Sequence, residues 1–364
     1  DINTIFKNLI AQPTNFEADN PGDVIQYIAA HDNLTLFDII AQSIKKDPSK
    51  AENYAEIHRR LRLGNLMVLT AQGTPFIHSG QEYGRTKQFL DPAYKTPVSE
   101  DKVPNKSHLL RDKDGNPFVY PYFIHDSYDS SDAVNKFDWT KATDKKAYPE
   151  NVKSRDYMKG LIALRQSTDA FRLKSLQDIK ERVRLITVPG QNGVENEDVV
   201  IGYQITAPNG DIYAVFVNAD EKAREFTLGT DFAHLRNAEV LADENQAGPV
   251  GISNPKGLEW TEKGLQLNAL TAVVLRLSQG GAIVAPAVEE KPEFDLSNLE
   301  VEQEQGQAQN LAANPKTQET AAESLSQKVL PNTGTENKSP LALAGISILS
   351  LLGLGSLIKA KKEE

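Results

Sequence analysis

Hydrophobic and polar positions run through this chain in three successive rhythms. The first begins with Val24-Ile25-Gln26-Tyr27-Ile28, a short apolar run that breaks into Ala29-Ala30-His31-Asp32-Asn33. That pattern predicts a buried strand opening into a polar loop. From about Tyr54, Ile57, Leu61, Gly64 and Val68 recur at helical spacing, with Gly73 placed to stop the helix and Pro75 two residues beyond. Thr74 to His78 reads as a second short buried strand leading into Ser79-Gly80-Gln81-Glu82. A long polar loop is expected from Tyr83 to Pro149. A helix over about Val152 to Gln166 should follow, with Tyr157, Leu161 and Leu164 on one face. Strand, helix, strand, loop, helix matches the closing units of a parallel α/β barrel, in which functional residues gather where strands end.

The second rhythm has period two and runs from about Phe171 to Ser278. Val199 to Ile205 and Ile212 to Val217 are β-branched and aromatic runs, ended by Asn209-Gly210 and by Asn218-Ala219-Asp220. Arg224 to Leu228, Ala238 to Ala242 and Thr271 to Leu277 add short strands, so an antiparallel β-sandwich is expected. It shows neither paired carboxylates nor a histidine cluster, and packing is its first reading, with glucan contact the second.

The third rhythm is almost none. Between Ala282 and Lys338 ten acidic residues stand against four basic ones, with Phe294 as the one aromatic. Such a segment cannot bury enough apolar surface to offset chain entropy, and a disordered acidic spacer over residues 280–329 is expected. Leu341 to Ile358 then gives eighteen residues without a charge, followed by Lys359, Lys361 and Lys362. Eighteen residues of helix reach about 27 Å, enough for a hydrocarbon core, with the lysines on the cytoplasmic side. A transmembrane helix over 341–358 is therefore expected. A buried core helix is the alternative, and the spacer argues against it.

Charge and composition narrow the partners. The formal net charge of −10 argues against a nucleic-acid partner, which calls for a basic face. The chain has no Cys, which removes disulfide scaffolds and thiolate metal sites. No cofactor motif is present and no ligand cluster for calcium stands out. The first residue is Asp1, with neither initiator Met nor signal peptide, and the chain is expected to be a piece of a longer protein.

Two resemblances add to this reading. Leu330-Pro331-Asn332-Thr333-Gly334, followed by an apolar span and a basic tail, resembles the sorting signal of Gram-positive surface proteins, the LPxTG motif. The likeness implies secretion, sortase cleavage between Thr333 and Gly334, and covalent attachment to peptidoglycan. Ile28 to Asn33, Gly73 to Glu82, and Ser127 to Trp139 resemble in order three motifs of glycoside hydrolase family 13, the α-amylase family, and the third is similar to a loop of pullulanase-type debranching enzymes.

That second likeness covers residues 1 to 278 and implies an α/β barrel of (β/α)8 type, of which strands seven and eight are present in 1–170, followed by the sandwich in 171–279 and the sorting signal in 330–364. It implies hydrolysis of α-1,6-glucosidic bonds in an α-glucan, with Asp32 as the transition-state-stabilising carboxylate and His31 and Asn33 binding the same sugar. Asp132 and Lys136 stand where the family has an Asp-x-x-x-Arg pair that grips the neighbouring sugar, and Lys cannot reproduce the bidentate geometry of Arg. Gln81 and Glu82 are expected to brace the strand-eight turn, and Tyr83, Tyr128 and Trp139 are candidates for stacking on sugar faces. The family's nucleophile and acid/base belong to earlier strands, so this piece alone should not hydrolyse glucan. An α-1,4-acting amylase and a non-catalytic glycan-binding adhesin are the alternatives.

Overall fold

The computed structural model describes residues 1–279. Its first helix, α1 (Ile2–Leu9), is capped by Asp1, whose Oδ1 accepts the Thr4 N–H at 2.7 Å, and buries Ile2, Ile5 and Leu9. Strand β1 (Ile25–Gln26) leads through the His31–Asn33 loop to α2 (Leu36–Ile44), which Thr35 caps. Helix α3 (Ala51–Thr70) then crosses the core, with Ile57, Leu61, Gly64 and Val68 all buried. Strand β2 (Thr74–Pro75) pairs with β1 in parallel, Ile25 opposite Thr74 and Gln26 opposite Pro75. It is shorter than the expected run to His78 and not buried, since Thr74 is exposed and Pro75 half-buried with only β1 beside it. Parallel neighbours need a crossover, and α2 and α3 supply it.

Gly73 does not stop α3, which ends at Thr70. It turns the chain into β2 with φ +94°, where a Cβ would sit 2.7 Å from the Val24 carbonyl. The carbonyls of Leu69, Ala71 and Gly73, left over as the helix ends, are taken by the Arg165 guanidinium at 2.7 to 2.9 Å.

The segment from Tyr83 to Pro149 is not a bare loop. It contains an antiparallel hairpin, β3 (Ser107–Arg111) and β4 (Pro117–Ile124), and the short helices α4 (Asp132–Asn135) and α5 (Trp139–Thr143). Pro117 and Pro121 hide the strand pattern, yet a two-stranded ribbon has only edges, where a missing N–H is tolerated. Helix α6 (Pro149–Gln166) follows, with Tyr157, Leu161 and Leu164 buried as its spacing requires.

Helix α7 (Leu176–Arg182) leads into β5 (Val183–Leu185), β6 (Val200–Thr206), β7 (Ile212–Asn218), β8 (Arg224–Thr227), β9 (Glu239–Ala242), β10 (Leu258–Trp260), β11 (Gly264–Leu267) and β12 (Thr271–Leu277). One sheet runs β5-β6-β7-β12-β9 and the other β10-β11-β8, with every pairing antiparallel. Strands β5, β10 and β11 are too short to declare a period by themselves. Phe216 of β7 meets Phe226 of β8 at 5.2 Å between ring centres, joining the two sheets.

The helices seat directly on this β region. Tyr203 touches Phe6 at 6.3 Å and bonds the Thr70 hydroxyl at 2.8 Å. Gly160 of α6 lies so close to the Ala247 carbonyl that no side chain fits between them. Among the described residues no helix is long and apolar enough to cross a membrane. The expected spacer (280–329), the motif Leu330 to Gly334 and the apolar span 341–358 lie outside the described residues.

Candidate active site

Two neighbouring parallel strands deliver their loops to the same end. Beyond β1 come Tyr27 and then His31-Asp32-Asn33, and beyond β2 come Phe76 and His78, with Tyr27 and Phe76 touching edge to face at 6.0 Å. His31 Nε2 lies 3.4 Å from Asp32 Oδ1, and the two side chains are 77% and 62% exposed. A buried, satisfied ion pair is thus not what these residues form. Both present hydrogen-bonding capacity to solvent. The negative charge of Asp32 adds to burial in raising the Tyr27 phenol above its ordinary pKa.

Asn33 adopts φ 62°, a left-handed turn that Asn tolerates better than most residues. Its carbonyl accepts a hydrogen bond from Lys87 Nζ. Lys87 is itself buried, and its backbone N–H donates to Asp38 Oδ2 at 2.7 Å. The other oxygen of Asp38 accepts from the Thr86 hydroxyl. Burial outweighs these bonds and pushes the Asp38 carboxyl up to about 6. Burial likewise lowers the Lys87 ammonium, partly countered by Asp38.

His78 is pushed down to about 4 by burial and then by the charges of Arg85, Lys87 and His31, which leaves the ring neutral at pH 7. Arg85 Nη1 stands 3.4 Å from His78 Nε2. A guanidinium only donates, so Nε2 accepts and the ring proton sits on Nδ1. The far side of Arg85 reaches the Val134 and Asn135 carbonyls at 3.3 and 3.4 Å. In this way the end of β2 is tied to α4, which carries Asp132.

Asp132 and Lys136 are both exposed at the two ends of α4, joined by the Lys136 N–H to the Asp132 carbonyl at 3.0 Å. Gln81 is buried and donates to Asn65 Oδ1 at 2.7 Å, while Glu82 Oε2 accepts the Gly80 N–H at 2.9 Å. Both act inside the turn. Tyr83 is fully buried, with its hydroxyl accepting the Asp138 N–H at 3.0 Å and its ring against Phe137. It is a packing residue, not a stacking platform. Tyr128 is 94% exposed and Trp139 71% exposed, with Trp139 leaning on Phe137 at 4.5 Å. The structure thus gathers His31, Asp32, His78, Arg85 and Lys87, of which sequence reasoning named only the first two. Among the described residues no group of three or more His, Asp or Glu could hold a metal ion.

Comparison with known proteins gives the relatives of the chain. Residues 182–278 match the family described as SpuA C-terminal, and residues 326–364 match the LPXTG cell wall anchor motif. The chain is a homologue of pullulanases, and the anchor motif marks a cell-wall-anchored surface protein. It is 74% identical over its full length to Pullulanase A of Streptococcus pneumoniae serotype 2, and it spans about a third (32%) of that relative's length.

Two solved structures agree with this. A product complex of the multi-modular glycogen-degrading pneumococcal virulence factor SpuA matches 77% of this chain and 28% of its own, at 94% identity and a TM-score of 0.76. The pullulanase SAP of Group B Streptococcus matches 76% of this chain and 35% of its own, at 57% identity and a TM-score of 0.72.

Proposed function

We propose that this chain is the C-terminal part of a wall-anchored pullulanase of glycoside hydrolase family 13. Residues 1–170 complete a (β/α)8 barrel with β1 and β2 as its seventh and eighth strands, and residues 171–279 form the sandwich that follows it. The whole enzyme cleaves α-1,6-glucosidic bonds of pullulan, glycogen and starch with retention. The observation that carries this reading is the parallel pairing of β1 with β2, which opens the exposed His31–Asp32 pair at the end of the strands where a barrel keeps its site.

Asp32 accepts hydrogen bonds from hydroxyls of the sugar whose bond breaks. These strengthen as the ring flattens toward an oxocarbenium ion, a differential stabilisation of several kcal/mol. His31 and Asn33 hold the same sugar, while Asp132 and Lys136 contact its neighbour, Lys136 through single bonds only. The nucleophile and acid/base, about 5 to 5.5 Å apart in a retaining enzyme, come from barrel strands that this chain does not contain. Hydrolysis needs only these carboxylates and water, so no cofactor is required. Sortase cleaves between Thr333 and Gly334 and joins Thr333 to peptidoglycan, with the apolar span 341–358 holding the chain at the membrane until then.

Product analysis on pullulan tests this. The chain alone should release no sugar, and the complete protein should release maltotriose. An enzyme acting on α-1,4 bonds would give other products. A complete protein that binds glycogen without cutting it would be an adhesin.

A further inference from the structure

Behind the exposed carboxylate stands a buried cation. Lys87 is 2% exposed, and its Nζ faces three acceptors, the Asn33 carbonyl at 2.5 Å, the His125 carbonyl at 3.3 Å and the Ser127 hydroxyl at 3.5 Å. An ammonium has three protons to donate, and the three acceptors belong to two stretches, the Asn33 turn and the segment that leaves β4. The opposite end of the residue is fixed too, because its N–H is bound to the buried Asp38 of α2. Lys87 is therefore pinned at its backbone and at its tip.

What the tip holds is the residue next to Asp32. Asn33 sits in the left-handed region at φ 62°, a conformation that persists where the surroundings over-determine it. The same ammonium holds Ser127, and the Ser127 carbonyl accepts from Asn135 Nδ2 at 2.7 Å, inside the helix that starts at Asp132. Two residues before Lys87, Arg85 grips the other side of that helix through the Val134 and Asn135 carbonyls.

We propose that Lys87 is a positioning residue for Asp32, fixing the His31–Asn33 turn and setting its distance from the loop that carries Asp132. This rests on the reading of Asp32 as a glucan-contacting carboxylate. Lys87 touches no substrate. Its ammonium makes the Asn33 carbonyl a fixed point, so Asp32 meets the sugar without first ordering its own loop. An anchor that serves stability alone would also be buried and bonded, but its loss would be felt equally whether or not Asp32 were present.

The test is a double-mutant cycle in the complete protein. Lys87→Met keeps the stem and removes the donors. On pullulan, kcat should fall by about tenfold or more while KM moves less than about threefold and the thermal midpoint stays near that of the parent. In an Asp32→Ala background the same change should cost less than about twofold, because the group it positions is gone. Unchanged kcat in folded Lys87→Met, or a loss that persists in full beside Asp32→Ala, would overturn the proposal. If Lys87→Met does not fold, Lys87→Gln, too short to reach all three acceptors, is read in the same way. Full activity of Asp32→Ala alone would refute the reading of Asp32 instead, a result separable from any behaviour of Lys87.

Discussion

The helical region and the β region bury different things. In the β region the middle of the five-stranded sheet is almost wholly apolar, with Ile201, Val215, Phe216, Val217, Val273 and Val274 shut off from solvent. Its buried charges, Asp243 and Arg276, tie down loops and an edge: Asp243 accepts the Asn245, Gln246 and Lys256 N–H groups, and Arg276 pairs with Glu239 at 2.7 Å. The helical region encloses Asp38, His58, Arg60, Arg62, Lys87 and Arg165. Its parallel strands β1 and β2 offer only two residues each, too few for a ladder to fix the loops beyond them. Buried charge does that work instead. A region ruled by apolar packing should answer to changes of volume, and a region ruled by buried polar groups to changes of charge and pH.

The largest expected effect lies on the exposed side of the helical region. Asp32→Ala in the complete protein should lower turnover on pullulan by about a thousandfold, roughly 4 kcal/mol, without moving the unfolding transition. The β region should behave in reverse. Phe216→Ala empties a fully buried ring site that packs on Phe226 and Gly202. It should cost about 3 to 5 kcal/mol in urea denaturation and leave the rate per folded molecule as it was. A lost rate with intact stability would dissolve the contrast between the regions.

Acid should act through the helical region. His58 is buried between Phe37 and Tyr54, its Nδ1 bonded to the Ser154 hydroxyl at 2.8 Å, and burial pushes it down to about 3. The folded ring stays neutral while the unfolded one protonates near 6.5. Its stabilisation is therefore complete above that pH and is lost as pH falls toward 3, by about 3 kcal/mol between pH 7 and 4. Asp38 runs the other way. Its raised value makes its contribution complete below about 4 and lost as pH rises through about 6, so it partly offsets His58. Urea midpoints at pH 7, 5 and 4 should converge in His58→Phe, and an unchanged slope would remove His58 from this role. The smallest effect belongs to Trp139, where replacement by Ala should raise KM for glycogen by a fewfold, about 1 kcal/mol, with kcat held.

How much of this was legible depends on whether the cause is local. The face of α3 was, because Ile57, Leu61, Gly64 and Val68 carry their own period, and so were β6, β7 and β12, whose runs are long and β-branched. Helices α1 and α2 were missed, although Asp1 and Thr35 each stand where a cap belongs, before Ile2-Ile5-Leu9 and before Leu36-Phe37-Ile40. The hairpin β3–β4 was masked by its prolines. His31 and Asp32 were singled out through a motif at a strand end, and the structure places both in the loop that follows β1. Lys87 had no such signal: in Gly84-Arg85-Thr86-Lys87-Gln88 it reads as one more loop cation. Only the meeting of α2, the Asn33 turn and the His125–Ser127 strand exit encloses it.

The contact at Gly160 bears on anyone who would rebuild this molecule. A methyl group there would have to displace the Ala247 main chain, so the sixth helix and the strand-rich half are cut to fit one another along that seam. Grafting the strand-rich half onto a different protein would therefore mean transplanting this helix along with it, or finding a host helix that offers an equally bare patch.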